Sequence, residues 1–149
     1  MTLRITNALR IISIIVLVFV FFIAYAGLPE QVLVLLDNSG NPTQYIGRNY
    51  FFYGTLAILV ITNLLFYVLG NMLGKSVSER AKTGGKFTFS LSIIINIFFA
   101  VALTFLAILN GQENFDYDSF APFIYLSIGL FIAWVVAFIA SLTKLKKRV

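Results

Sequence analysis

The chain has 149 residues, 60% of them hydrophobic and 11% charged, which is more apolar surface than a soluble domain of that size can hide. Cysteine and histidine are both absent, excluding disulfides, thiolate or imidazole metal ligation, haem ligation and Ser-His or Cys-His nucleophile pairs. A net charge of +5 raises nucleic acid as a partner, but a phosphate-binding face needs exposed area this chain lacks, so none is expected.

Four apolar runs reach the roughly 20 residues a helix needs to cross about 30 Å of hydrocarbon. They predict spans over 8–27, 50–70, 87–109 and 121–142. The first, IISIIVLVFVFFIAYAG, is dense in β-branched residues, yet in lipid its length without a charge after Arg10 overrides strand propensity. Arg4, Arg10 and Ala24-Tyr25-Ala26 imitate a secretory signal with its cleavage site. The stretch from Ile11 to Ala26 is long for the apolar core of such a signal, so it is expected to stay as an anchor. The alternation a β-barrel requires is not seen. Pro29 lies just past the first span and Pro122 near the start of the fourth, where a missing N–H costs a helix little.

The loop after span one reads LPEQVLVLLDNSGNP, from Leu28 to Pro42. It resembles the signature of a bacterial membrane domain of unknown function found in SdpI-type toxin-immunity proteins. That signature runs Leu-Pro, an acidic or polar pair, Ile or Val, then Pro-x-His-Phe, Asn or Asp, two residues, Gly, one residue, Pro. Leu28, Pro29, Glu30, Val32, Asp37, Ser39, Gly40 and Pro42 fall in register with it, whereas Leu33 stands where proline is usual and Leu35 and Leu36 replace His-Phe. The resemblance implies a recognition role for Leu28, Pro29, Asp37, Gly40 and Pro42, and the missing histidine separates this loop from any role that needs one. Asn38-Ser-Gly-Asn-Pro42 is equally good turn chemistry on its own.

Between spans two and three, Ser76 to Glu79 has the spacing of a capping box and predicts a short cytoplasmic helix. Gly84-Gly85-Lys86 lacks the upstream glycine of a phosphate loop and has Phe87 in place of Ser or Thr, so it reads as a flexible approach to span three. Between spans three and four, Glu113, Asp116 and Asp118 could hold a divalent cation through oxygen ligands. Topology favours acids there in any case, and Phe115, Tyr117 and Phe120 suit the membrane interface. No metal or other cofactor is expected. Lys144 to Arg148 would attract anionic lipid at about 1 kcal/mol per charge, though topology anchoring explains them equally.

The charges set the orientation, because Lys and Arg near span ends stay cytoplasmic. Arg4, Arg10, Lys75, Arg80, Lys82, Lys86, Lys144, Lys146, Lys147 and Arg148 fall on one side of a four-span chain, and Arg48 is the exception. Glu30, Asp37, Glu113, Asp116 and Asp118 fall on the other, leaving only Glu79 among the basic residues. The expected fold is an all-α membrane protein: one antiparallel four-helix transmembrane bundle over 1–149, both termini inside, in a bacterial inner membrane.

Helices in lipid pack through small residues and polar contacts. Span four offers Gly129, Ala133, Ala137 and Ser141 at four-residue spacing, and span three offers Thr88, Ser92, Asn96, Ala100 and Thr104. Both stripes are expected to face protein, either this bundle or a partner. Counted from the cytoplasmic span ends at about 1.5 Å per residue, Asn63 lies roughly 10 Å deep and Asn96 roughly 13 Å. The two amides are therefore expected to meet, with Tyr67 or Thr62 nearby. The alternative is a polar substrate site.

The spans are read as holding no Asp, Glu, His, Lys or Arg at membrane depth, so an ion-coupled carrier formed by this chain alone is not expected. A non-enzymatic accessory or scaffold subunit, partnered by the bilayer and by another membrane protein or its own copies, is the leading reading. The loop resemblance implies a second, an immunity or signalling protein. An oligomeric channel or small-solute transporter lined by Asn, Ser and Thr is a third. Enzymatic action on lipid is not expected, because the acids lie in loops and no general base is paired with a nucleophile.

Overall fold

The structure is a computed structural model and describes residues 3–37, 41–111 and 117–146. Its elements are α1 (Leu3–Gly27), β1 (Gln31–Leu36), β2 (Pro42–Gly47), α2 (Arg48–Gly74), α3 (Glu79–Gly111) and α4 (Tyr117–Lys146). Arg4–Gly27, Arg48–Gly74, Glu79–Gly111 and Phe120–Ser141 are each long and apolar enough to cross a membrane. The chain is thus a multi-pass helical membrane protein.

The helices outrun the apolar spans. Hydrocarbon obliges a helix to satisfy its backbone internally, and that pattern carries on into the interface, where polar side chains can follow. Two expectations change as a result. Gly84 and Gly85 lie inside α3 and are no loop, and the Ser76–Glu79 turn opens α3 itself, with no separate short helix. In that turn Ser76 Oγ accepts from the Ser78 N–H at 3.3 Å. Pro122 likewise lies inside α4, past its first turn.

α3 is the axis of the molecule, packing against α1, α2, α4 and β1, whereas the α1 and α2 backbones lie farther apart and meet through side chains such as Phe21, Tyr25 and Phe52; among the described residues α4 packs on α3 alone. Leu17, Phe21 and Ala24 of α1 form the core with Leu59 of α2 and Leu103 of α3. α2 and α3 approach most closely at three glycines. A Cβ on Gly70 would enter the Phe89 ring, and one on Gly85 would lie 2.8 Å from the Gly74 nitrogen and 2.9 Å from the Gly70 carbonyl oxygen. Gly70 and Gly74 are thus a small-xxx-small contact on α2, with Gly85 its counterpart on α3.

The first interhelical connection holds structure beyond the four helices. β1 and β2 pair antiparallel from Gln31↔Gly47 to Leu36↔Pro42, with the register slipping between Leu33 and Leu35 and again before Leu36. Aliphatic QVLVLL suits a strand, and Pro42 takes the first position of β2, where a missing donor is tolerated. Asp37 joins the strands to the turn by accepting from the Asn41 N–H at 2.8 Å and from Asn41 Nδ2 at 3.0 Å.

Candidate functional site

Three features combine polar chemistry with defined geometry: a buried amide cluster, the clamped hairpin, and the outward face of α4. In the cluster, Asn63 Nδ2 donates to Asn96 Oδ1 at 2.9 Å and Asn96 Nδ2 donates to Asn63 Oδ1 at 3.1 Å. Ser92 Oγ donates to Asn63 Oδ1 at 3.3 Å, and Asn96 Nδ2 also reaches Ser13 Oγ on α1 at 2.9 Å. Ser13 in turn donates to the Arg10 carbonyl at 2.7 Å, and Asn63 Nδ2 to the Leu59 carbonyl at 3.0 Å. Asn96 is 1% exposed, so the group ties α1, α2 and α3 together away from lipid. Each amide's oxygen and nitrogen both have partners, as burial demands.

Ser13 has no sequence signal beyond being a lone hydroxyl in an aliphatic run. Further along the span-three stripe, Ala100 is half-buried against the core, while Thr104 is exposed and bonds back to the Ala100 carbonyl at 2.8 Å. That self-contained bond satisfies the hydroxyl without a neighbouring helix.

The hairpin is fixed to α3 by Asn110, and its far end runs directly into α2 at Arg48. Asn110, in the last turn of α3, accepts from the Leu33 N–H at 2.7 Å and donates to the Leu33 carbonyl at 3.0 Å, standing in for a strand neighbour. On the other side Arg48 Nη2 donates to the Tyr25 carbonyl at 3.0 Å, with its guanidinium 4.4 Å above the Tyr25 ring. This places a cation at the carbonyl end of α1, where the helix dipole favours it. Among the described residues, Arg48 Nε is the one buried side-chain polar atom without a hydrogen bond.

Of the loop residues singled out in sequence, Leu28 is buried, Pro29 and Pro42 are exposed, and Asp37 is exposed and bonded to Asn41. Gly40 lies outside the described residues, as do Glu113 and Asp116 and the side chain of Asp118. Leu33, which stands where the resembled signature has proline, uses the N–H a proline lacks.

α4 meets α3 through Ser127, Trp134 and Phe138. Trp134 Nε1 donates to Ser90 Oγ at 2.8 Å, and Phe138 stacks on Trp134 at 5.4 Å and meets Phe87 edge-on at 5.0 Å. A 230 Å³ crevice between the two helices is lined by Ile94, Ile95, Phe98, Ser127, Ile128 and Phe131. The small-residue stripe points elsewhere. Gly129, Ala133 and Ala137 are exposed, Ser141 is half-buried, and a Cβ at Gly129 would meet nothing within 4 Å. Packing within the bundle is therefore not what this stripe does, because the aromatic side of α4 fills that role.

Among the described residues, no group of three acidic, histidine or cysteine side chains is placed to hold a metal. Comparison of the chain with protein-family models, curated proteins and solved structures finds no match.

Proposed function

We propose that this protein is a non-enzymatic accessory or scaffold subunit of a membrane complex, set in the bacterial inner membrane as four antiparallel spans with both termini cytoplasmic. The observation that carries this reading is the outward stripe Gly129, Ala133 and Ala137 on a helix that, among the described residues, packs on α3 alone. Small residues let two helix backbones approach closely, and facing lipid they serve no packing purpose. The occupant is a transmembrane helix of a different protein. A photo-crosslinking residue at Ala133, compared with one at exposed Ile139 on another face, tests this in native membranes. One discrete heterologous product from Ala133 alone is expected. Products confined to lipid or to the chain itself would retire the reading.

The hairpin favours a second reading, the immunity or signalling role implied by the loop resemblance. Held by Asn110, it presents exposed Leu35 and Tyr45 on a fixed support, as a recognition element would. Toxin sensitivity on deletion separates this role from the first. A channel has less support, since Asn63 and Asn96 commit their amides to each other. Flux in reconstituted vesicles, abolished by Asn96→Leu, would revive it.

A further inference from the structure

Arg10 is the one buried charged side chain among the described residues, at 6% exposed. It sits on α1 with its guanidinium carbon 5.2 Å from the Tyr67 ring centre of α2 and 5.4 Å from that of Phe89 on α3. Nε donates to Asn7 Oδ1 at 3.2 Å. A guanidinium carries five N–H donors in one plane, and the terminal nitrogens Nη1 and Nη2 meet no acceptor among the described residues.

Nor does a carboxylate balance the charge. The one ion pair among the described residues joins Lys82 to Glu79 at 2.7 Å, both on α3, while Glu30 and Asp37 lie at the hairpin end. The nearby chain adds positive charge, because Lys75 and Lys86 adjoin the glycines packed at this end of α2 and α3. The two neighbouring aromatic rings favour the cation, but they accept none of its in-plane protons. An unneutralised guanidinium beside two rings, its terminal nitrogens without acceptors and not fully enclosed, suits a planar, two-oxygen acceptor, and phosphate is the best match for that fork.

We propose that Arg10, Tyr67 and Phe89 form a binding site for the phosphate of an anionic phospholipid headgroup, drawn from the leaflet at the basic-loop end. Lipid is the source because Arg10 belongs to a membrane-crossing helix, and Tyr67, one wall of the site, is 46% exposed on a second such helix. A free phosphate ion shares the chemistry and would have to leave water to reach it.

The test is native mass spectrometry of the full-length protein in mild detergent, titrated with phosphatidylglycerol, diacylglycerol or inorganic phosphate. One retained phosphatidylglycerol per chain is expected, weakened about tenfold by Arg10→Gln, less by Arg10→Lys, and hardly by Arg4→Gln. Excess inorganic phosphate should not displace it. Equal retention by the wild type, Arg10→Gln and Arg10→Lys, or equal binding of diacylglycerol, would overturn the site. Displacement by inorganic phosphate would overturn its assignment to lipid. If Arg10→Gln does not fold, Arg10→Lys decides alone, because it keeps the charge and loses the planar fork.

Discussion

Asn96 holds three helices by one side chain: its oxygen accepts from Asn63, and its nitrogen donates to Asn63 and Ser13. Replacing it with leucine leaves the Asn63 amide only the Leu59 carbonyl and the Ser92 hydroxyl as partners and takes the Asn96 bond from Ser13. Asn96→Leu should destabilise the protein by about 1–2 kcal/mol in reversible detergent unfolding. In a double-mutant cycle, Asn63→Leu with Asn96→Leu should cost less than the sum of the singles, and strict additivity would show that the amides do not act as a pair. The meeting of these residues was legible because depth along a helix is a count at fixed rise. Ser13 and the burial of Arg10 were not. Thr6, Arg10 and Ser13 share the face of α1 that buries Leu17, Phe21 and Ala24, but nothing in α1 itself says which helix that face meets.

At the scale of elements, the hairpin and the α2–α3 seam differ in how visible they were. QVLVLL has no alternation, and its partner PTQYIG is largely polar, so neither strand stands out locally and only their pairing reveals them. Asn110 supplies the neighbour β1 lacks on its other edge. Asn110→Leu should therefore raise hydrogen exchange at Leu33 and nearby β1 amides about tenfold while α2 stays protected, read by mass spectrometry. Unchanged exchange would mean that β2 alone secures the strand. Gly85 abuts the α2 backbone, a contact with no flexible side chain to give way. Gly85→Val should force the helices apart and cost about 1–3 kcal/mol in the same unfolding measurement. The Gly70-x-x-x-Gly74 spacing was present in sequence, but a Gly-Gly pair near a loop reads as flexibility until the partner backbone is seen beside it.

At the scale of the whole molecule, the four spans were legible because apolar length is a local property, whereas their unequal burial was not. α4 differs little in composition from the other helices yet, among the described residues, packs on one neighbour only. The proposed sidedness has a clean test, since the native chain contains no cysteine to interfere. Single cysteines at Ser78, between α2 and α3, and at exposed Thr43 on the hairpin should label from opposite faces of intact cells with a membrane-impermeant thiol reagent. Thr43→Cys should react from outside and Ser78→Cys only after lysis, and the reverse pattern would invert the proposed orientation.

The central position of α3 has a consequence for how the protein comes into being. Synthesis delivers α1 and α2 first, and their backbones lie farther from each other than either lies from α3. Until Glu79–Gly111 arrives, Asn63 and Ser13 lack the Asn96 amide that joins them, and the Arg10 guanidinium has no Phe89 beneath it. The third helix, which supplies the amide that joins the first two, is thus made after the parts it must bring together.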